Sequence, residues 1–453
     1  MEYNNIRKKL KDYLKYSPYY DKTYCVGGCV RDHLLDQRIK DLDLVVEMPN
    51  GGIELAKYLE SLDVLASSPV VFESYGTTQF RLKKFPEDFI EVVHTRSKEN
   101  QTNYGSLSED CELRDLTINA LYQPISSDDI LDLSGKGLED IKHKKLRVTS
   151  TPDIVFGNDP LRVLRCIRFS SVLGWPIEDE TWDGVCKYSE KLSTIAMERI
   201  ASELEKILKS GHPSYGLDLL RKSGCLPIIL PELDETTRMT QNKYHFGTVW
   251  EHTLAVVEKC KHHDSVVLWS ALFHDIGKIR TRTVDKSGCV HFIGHAQVGS
   301  EMCLDILQRF NYLSLPEIKQ IQMLVARHMD FKQGSPKDKT LRKLQYTLGE
   351  IQYWRLLELI EADNLSHAPK YCIHGQAEEI KTRTKNMKTM FYYSLPITGD
   401  DIMEVKNIGP GKLVKGYLDY CLKLAFSNPD ITKEQLISRI KSLPESQLGK
   451  KYL

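Results

Sequence analysis

The chain has 453 residues, of which 41% are hydrophobic and 27% charged, a composition typical of a soluble globular protein with several cores. Lys plus Arg and Asp plus Glu are equal at 62 each. This balance excludes a uniformly cationic surface, so any nucleic-acid contact must come from local patches such as residues 142–147. No membrane-spanning run, signal peptide or CxxC pair is present. We therefore expect a cytoplasmic protein with reduced thiols and no membrane partner.

The first elements predict a helix, a strand and a glycine turn. Residues 1–22 have the spacing of a short amphipathic helix. A β-prone run at 23–26 leads into Gly27 and Gly28, after which apolar residues recur at helical spacing. Glycines let the backbone approach a ligand closely, and the N–H groups of the following helix, together with Arg31, suit the triphosphate of a nucleotide.

Two carboxylates follow on a predicted strand. Residues 41–46 begin with apolar and polar alternation, so Asp41 and Asp43 are expected on one face of the strand while Leu42 and Leu44 enter the core. Neighbouring carboxylates repel each other unless cations lie between them. The pattern predicts a two-metal centre that activates an attacking hydroxyl and stabilises a leaving pyrophosphate. A lone DxD is usually a solvated strand end, but its combination with the glycine turn is far more specific.

The segment GGxVRDxLL followed by DxD closely resembles the signature of the class II nucleotidyltransferases, the family of CCA-adding enzymes and bacterial poly(A) polymerases. The resemblance implies Mg²⁺ at Asp41 and Asp43, CTP and ATP as substrates, and tRNA as the partner. Asp36 stands where the family usually has glycine, in the turn before the catalytic strand.

A helix at 53–62 and strands at 70–72, 78–82 and 89–94 are predicted next. Glu91 is a charge within an apolar run, where burial without a partner would cost roughly several kcal/mol. Its position resembles that of the family's third strand carboxylate, which implies a supporting metal or base residue. The alternative is a residue at the sheet edge that faces water.

Residues 114–121 are similar to the family's RRDxTxNA motif, in which the arginine and aspartate hold the phosphates and ribose of the incoming nucleotide. The candidate nucleotide-binding residues are therefore Arg114, Asp115 and Asn119. A carboxylate that accepts both ribose hydroxyls would favour NTP over dNTP. Leu113 replaces the first arginine of the motif, so one phosphate or primer contact is expected to be missing.

A helix is predicted from Pro160, with Asp159 as its N-cap. The segment 158–169 resembles the family's EDxxR element, whose aspartate and first arginine act as an amino-acid template for the base. Such a pair would accept C and A and reject U and G, since only C and A place an amino donor beside a ring acceptor. The plainer alternative is that Asp159 caps the helix and pairs with Arg162. The candidate nucleotide-binding side chains here are Asp159, Arg162, Arg165 and Arg168.

A second set of candidate metal ligands follows Tyr244. The residues His252, His274, Asp275 and Asp363 reproduce the H…HD…D pattern of HD-domain phosphohydrolases. Imidazole and carboxylate ligands suit several divalent metals, whose identity stays open. His295 and His328 match positions where HD enzymes with two metals carry extra histidines. The resemblance implies phosphatase or 2′,3′-cyclic phosphodiesterase activity on RNA ends.

The expected fold class is α+β. A nucleotidyltransferase head with a mixed β-sheet and helices occupies 1–150. It is followed by an all-α neck and body with the base template at 151–238, an α-helical HD domain at 239–375 and a helical tail at 376–453.

The predicted function is a tRNA nucleotidyltransferase that adds C and A without a nucleic-acid template and carries an HD phosphohydrolase activity. The alternatives are a poly(A) polymerase, a partial enzyme that adds only the two cytidines, and an HD phosphohydrolase whose degenerate head only binds RNA. The loop at 95–106 is shorter than in family members, which together with Leu113 favours the CC-adding alternative. The oligomeric state stays open.

Overall fold

The computed structural model describes residues 2–73, 76–99, 103–241, 247–260, 264–331 and 334–448. The chain forms two compact units, residues 1–231 and 232–453. A mixed sheet with helices makes up the start of the first unit, and helices dominate the rest of the chain, which confirms the α+β class. In the described part of the chain no helix has the length and apolar character needed to cross a membrane. The division into four domains stays a prediction.

The N-terminal unit contains a seven-stranded sheet. Its strands are β1 (Thr23–Val26), β2 (Leu42–Val46), β3 (Val70–Phe72), β4 (Thr77–Leu82), β5 (Phe85–His94), β6 (Leu121–Pro124) and β7 (Leu131–Asp132). Its helices are α1 (Tyr3–Leu14), α2 (Gly28–Leu34), α3 (Gly51–Ser61), α4 (Leu107–Glu112), α5 (Gly137–His143), α6 (Pro152–Asn158), α7 (Leu161–Leu173), α8 (Asp179–Tyr188), α9 (Met197–Leu208), α10 (Pro213–Lys222) and α11 (Leu226–Ile229).

Strand β2 lies in the middle of this sheet, whose order is β3-β4-β5-β2-β1-β6-β7. It runs parallel to β5 and antiparallel to β1. Alternation places Leu42 and Leu44 in the core that α1, α2 and α3 share with the sheet, and it places Asp43 on the opposite, open face. The predicted strand 41–46 begins one residue later than expected, so Asp41 lies just before β2.

Helix α7 begins at Leu161 with Pro160 as its N-cap, so the prediction of Asp159 as N-cap is wrong by one residue. Pro160 already has helical angles (φ −59°, ψ −22°), whereas Asp159 is extended. The Asp159 carboxylate still accepts a hydrogen bond from the Leu161 N–H at 3.1 Å. It therefore satisfies one of the backbone donors that a helix start leaves open.

The C-terminal unit is built from helices and one small hairpin. Its helices are α12 (Pro231–Thr236), which begins at the division, α13 (Val249–Lys259), α14 (Ser265–Phe273), α15 (Lys278–Thr281), α16 (His295–Phe310), α17 (Leu315–Arg327), α18 (Asp338–Asn364), α19 (Gln376–Asn386), α20 (Gly399–Lys406), α21 (Lys412–Ser427) and α22 (Lys433–Lys441). The hairpin strands are β8 (Thr283–Val284) and β9 (Val290–His291). Helices α13, α17 and α18 pack around the buried α14, and α20 to α22 share a separate core at the end of the chain.

Candidate active site and metal centre

Two carboxylates lie side by side on the open face of the N-terminal sheet. The parallel register pairs Asp43 of β2 with Glu91 of β5, and Gln79 of β4 donates to Glu91 Oε2 at 2.9 Å. Loss of hydration and the neighbouring Glu91 raise the pKa of the Asp43 carboxyl to about 6, although Arg114 lowers it. Asp41, exposed just before β2, raises this pKa further. Carboxylates that repel each other in this way suit a divalent cation, which Mg²⁺ sites usually hold with one or two carboxylates plus substrate phosphates.

The glycine turn and an arginine border the same cleft. Gly27 has φ +78°, and a Cβ atom there would lie 3.6 Å from Arg114 Nη1 and 3.9 Å from Asp43 Oδ2. Gly28 follows as the first residue of α2. The cleft has a volume of about 520 Å³ and is also lined by Glu91 and Arg96, which is within the size range of small-ligand sites.

A chain of polar contacts connects α2 with α7. Arg31 Nη1 donates to Asn119 Oδ1 at 2.5 Å, and Asn119 Nδ2 donates to Asp115 Oδ1 at 3.1 Å. Arg165 on α7 donates to Asp115 Oδ2 from Nε at 2.8 Å and from Nη2 at 2.5 Å. Burial alone would raise the pKa of Asp115, but the Arg165 guanidinium holds this pKa well below its usual range. The carboxylate is therefore ionised and held in one orientation.

The two residues of the predicted base template have different partners. Asp159 Oδ2 lies 3.6 Å from Arg199 Nη2 on α9, so the alternative that Asp159 pairs with Arg162 is wrong. Arg162 is buried and donates to the carbonyl oxygens of Leu113 at 2.7 Å and Val155 at 3.4 Å. Spacing along one helix could not reveal this, because the acceptors come from other segments of the fold.

Arg168, the last arginine of the row on α7, is held within the same helical layer. Its Nε donates to Glu203 Oε2 of α9 at 2.6 Å, and its guanidinium carbon lies 3.9 Å from the centroid of the Phe169 ring. Lys206 donates to the other oxygen of Glu203 at 2.8 Å. The structure thus shows Arg168 engaged with protein groups in the present arrangement.

Asp110 is a residue of this site that the sequence analysis missed. It is fully buried and accepts hydrogen bonds from Arg96 Nε at 2.6 Å, Arg114 Nε at 2.9 Å and Tyr122 Oη at 2.8 Å. Burial raises the pKa of its carboxyl, but the two arginines lower it well below the usual range. The signal available in the sequence was its four-residue spacing from Arg114. Asp110 therefore fixes Arg114 beside the cleft and Arg96 at the start of the loop 95–106.

The ends of this loop are joined by backbone hydrogen bonds. Ser97 N donates to Asn103 O at 2.9 Å, and Gly105 N donates to Thr95 O at 2.9 Å. The predicted short loop includes residues 100–102, which lie outside the described residues. In the described part, the two ends of the loop are therefore held together, and Arg96 connects them to Asp110.

We expect Asp110→Ala to destabilise the N-terminal unit by about 3–5 kcal/mol, because it leaves two arginines without their buried partner. Since the folded-state pKa of Asp110 lies below its unfolded value, this contribution is full above about pH 4 and disappears as the pH falls further. Urea unfolding at several pH values measures it. Asp128→Ala is the matched control, since this carboxylate is exposed and its partner Arg7 keeps hydrogen bonds to the carbonyl oxygens of Pro124 and Ser127. Equal midpoints for the two variants would contradict the assignment.

All six predicted HD residues meet in one buried cluster, here called the HD cluster. His252 Nε2 lies 3.1 Å from Asp363 Oδ1, and His274 Nε2 lies 3.2 Å from Asp275 Oδ2. The other oxygen of Asp275 lies 3.4 Å from His295 Nε2 and 3.8 Å from His328 Nε2. Two sets of donor atoms, each within 4.8 Å of one another, therefore share Asp275. The cluster comprises His252, His274, Asp275, His295, His328 and Asp363.

The histidines of the HD cluster are oriented by the backbone. The Nδ1 atoms of His274, His295 and His328 lie 2.8, 2.8 and 2.7 Å from the carbonyl oxygens of Ala271, Phe292 and Val325. His252 Nδ1 lies 3.2 Å from Ser366 O. A proton on each Nδ1 leaves an Nε2 lone pair directed at the cluster, as in metal-bound imidazoles. The buried Nε2 of His274 lies 3.2 Å from Asp275 Oδ2, as expected of two groups that ligate one metal.

The protonation states of His328 and Asp275 also suit metal binding. Burial, with His274 and His295 nearby, lowers the pKa of His328 to about 3. Burial raises the pKa of Asp275, but Lys278 and His274 bring it well below its usual value. The cluster thus offers a neutral imidazole and an ionised carboxylate, which are the ligand forms that metals need.

Two further side chains of the HD cluster were not found in the sequence analysis. Lys278 Nζ donates to Asp275 Oδ2 at 2.6 Å and to Gln241 Oε1 at 2.6 Å. His367 Nε2 lies 3.8 Å from Asp363 Oδ1, and its ring stacks on His252 with centroids 5.7 Å apart. The signals were the lysine three residues after Asp275 and the histidine four residues after Asp363. In the structure Asp275 lies in the turn before α15, and His367 lies beyond the end of α18.

Comparisons with known proteins agree with this architecture. Residues 23–147 match the poly A polymerase head domain, 174–237 match the probable RNA and SrmB-binding site of polymerase A, and 244–367 match the HD domain. The chain is 31% identical over 336 residues to a CC-adding tRNA nucleotidyltransferase of Thermus thermophilus, covering 70% of each chain. It is 32% identical over 284 residues to a multifunctional CCA protein of Haemophilus ducreyi, covering 56% of this chain and 63% of that one.

Among solved structures, the chain is similar to the Bacillus stearothermophilus CCA-adding enzyme in complex with CTP. The TM-score is 0.72 at 19% sequence identity, with 97% of each chain covered, so this likeness establishes the fold.

The sheet with paired carboxylates beside a glycine turn defines a nucleotidyltransferase, and the buried His and Asp cluster defines an attached HD domain. More particularly, the chain belongs to the family of tRNA nucleotidyltransferases that contains the CCA-adding enzymes. The predicted family and the predicted enzyme class are confirmed.

Proposed function

We propose that this enzyme acts in the cytoplasm and adds C and A from CTP and ATP to the 3′ end of tRNA, without a nucleic-acid template. The observation that carries the proposal is the Asp43 and Glu91 pair beside the cleft of Gly27 and Arg114. The names of the relatives, a CC-adding tRNA nucleotidyltransferase and a multifunctional CCA protein, support tRNA rather than a poly(A) tail as the product.

Different residues around the cleft contact different parts of the substrate. Arg114 and the backbone of Gly27 and Gly28 hold the triphosphate, and Arg31 keeps Asn119 and Asp115 in place. In this arrangement the Asp115 oxygens accept hydrogen bonds from Leu116 N, Asn119 Nδ2 and two Arg165 nitrogens, so a ribose hydroxyl would take the place of one of these donors. A carboxylate that accepts both ribose hydroxyls would favour NTP over dNTP. Asp41, Asp43 and Glu91 would hold Mg²⁺, which when bound lowers the pKa of the attacking 3′-hydroxyl and neutralises the leaving pyrophosphate.

We further propose that the HD cluster holds a divalent metal and hydrolyses phosphate esters at RNA ends. Lys278 neutralises part of the negative charge of Asp275, and the imidazoles keep their Nε2 atoms directed inward. A divalent metal held there would supply the Lewis acidity that activates water for hydrolysis at neutral pH. His367 stacks on His252 and lies 3.8 Å from Asp363 Oδ1, so it helps to hold these two candidate ligands in place.

Extension of tRNA that lacks its 3′ end, with each NTP separately and then with CTP and ATP together, tests the proposed addition. We expect two C residues followed by one A, with no incorporation of U or G.

The CC-adding alternative, suggested by the predicted short loop at 95–106, needs its own assay. For this assay, tRNA that ends in CC is incubated with ATP alone. Quantitative addition of one A excludes a CC-adding enzyme, and a product longer by many A residues would indicate a poly(A) polymerase. Wild-type protein that extends no tRNA would contradict the proposal.

We expect Asp159→Ala to relax the choice of base more than it slows addition of C. The carboxylate that rejects carbonyl-bearing bases would be gone, so discrimination against UTP should fall by about 5- to 150-fold, the equivalent of about 1–3 kcal/mol for one base contact. Competition between labelled CTP and UTP measures the ratio. Asp153→Ala is the matched control, since this exposed carboxylate on α6 pairs with Lys187. If addition of every nucleotide declined equally and the C and A preference survived, Asp159 would act only at the helix start.

A further inference from the structure

Arg81 and Phe89 form a stacked pair that the proposed nucleotide site does not use. The guanidinium carbon of Arg81 lies 3.6 Å from the centroid of the Phe89 ring, and Phe89 is 50% exposed. The buried Nε of Arg81 has no hydrogen-bond partner among the described residues. An exposed aromatic ring beneath a guanidinium cation suits single-stranded nucleic acid, whose bases stack on rings and whose phosphates bind guanidinium groups.

This pair lies on the same face of the sheet as the candidate carboxylates. Phe89 precedes Glu91 by two residues on β5, and Arg81 follows Gln79 by two residues on β4. The intervening Phe80 and Ile90 are buried in the core on the other face. Two residues along a strand correspond to about 7 Å, so the pair is about one nucleotide away from Glu91.

The strand order places the pair opposite the nucleotide-binding residues. Gly27 at the end of β1 lies on one side of Asp43, whereas β5 and β4 lie on the other side, in the order β4-β5-β2-β1. In an in-line displacement the attacking oxygen and the leaving pyrophosphate lie on opposite sides of the phosphorus. A triphosphate held on the β1 side therefore requires the attacking 3′-hydroxyl to approach over β5 and β4.

We propose that Arg81 and Phe89 bind the 3′-terminal nucleotides of the RNA primer, with Phe89 stacking on a base and Arg81 contacting a backbone phosphate. The inference rests on the proposed tRNA nucleotidyltransferase activity. Both are positioning residues, since the reacting atoms lie at the carboxylates. Their loss should weaken primer binding and leave nucleotide binding unchanged.

The test compares Phe89→Leu and Arg81→Gln with Lys57→Ala, which removes a positive charge from α3 on the opposite face of the sheet. For Phe89→Leu we expect the KM of a tRNA primer to rise about tenfold while the KM of CTP stays unchanged, since one stacked base contributes a factor of this order. For Arg81→Gln we expect the dependence of log Kd for the primer on log salt concentration to fall by about 0.7. Lys57→Ala should behave as wild type.

Binding of a fluorescent RNA that ends in CC, followed by anisotropy, supplies a readout that does not need catalysis. Wild-type protein that binds this RNA but adds no nucleotide would contradict the proposed function and leave the binding comparison valid. Unchanged primer Kd and KM in both variants would overturn the inference. A parallel rise in the KM of CTP would also overturn the inference, because the pair would then affect nucleotide binding as well as primer binding.

Discussion

Asp43→Ala is expected to reduce nucleotide addition by about a thousandfold or more, while hydrolysis by the HD domain stays at the wild-type rate. Asp43 stands on the central strand, paired with Glu91 and next to the glycine turn and Arg114. Its removal deletes one of the carboxylates that would hold the divalent cation, which would activate the primer hydroxyl and stabilise the leaving pyrophosphate. Asp41→Ala should act in the same direction, although Asp41 lies outside the strand.

Extension of tRNA with CTP and hydrolysis of a model phosphodiester, measured on the same preparations, report the two activities. Asp63→Ala is the control, since this exposed carboxylate of the same unit pairs only at the surface with Lys83, 2.6 Å away. Addition at the wild-type rate by Asp43→Ala would remove Asp43 from the site. If a folded Asp43→Ala protein lost both activities, the interpretation of two independent sites would be wrong.

The features that could be predicted from the sequence are those that short segments determine. The glycine turn and β2 depend on neighbouring residues, because alternation and glycine act within a few positions. The predicted start of β2 differs from the observed start, Leu42, by one residue. The predicted start of β5 differs from the observed start, Phe85, by four residues, because β5 extends beyond its apolar run. The fold class followed from the order of these segments, since strands gathered at the start and helices afterwards.

The contacts that could not be predicted join distant segments. Asp110 meets Arg96 and Tyr122 only because α4 folds back on the sheet. Arg162 has the spacing of a base-contacting residue, yet it donates to the carbonyl of Leu113, 49 positions away in the chain. Helical periodicity gives the face on which a side chain lies and does not give its acceptor. Motifs therefore located the site, and tertiary packing decided which side chain each polar group contacts.

The geometry of the HD cluster also depends on contacts between distant segments of the chain. Its candidate ligands were predicted from the resemblance to the H…HD…D pattern, but the position of Asp275 as the shared member depends on where α13 and α17 meet α14 and where α16 meets α15. One carboxylate oxygen is directed to His274 and Lys278, and the other to His295 and His328. A side chain that serves both donor sets is the one whose loss should affect every bound metal ion.

Asp275→Ala, alone or with His274→Ala, is therefore expected to remove bound metal and to reduce hydrolysis of model phosphodiesters by about a thousandfold or more, while tRNA extension continues. His328→Ala belongs to one donor set, so it should leave more metal bound than Asp275→Ala. Elemental analysis of purified protein measures the metal, and Asp285→Ala is the control because that exposed carboxylate pairs with His291 in the hairpin. Full metal content and unchanged hydrolysis in Asp275→Ala would mean that the HD cluster only supports the fold. A selective loss of metal, with extension intact, would assign the hydrolytic activity to the cluster and show that the N-terminal unit works without it.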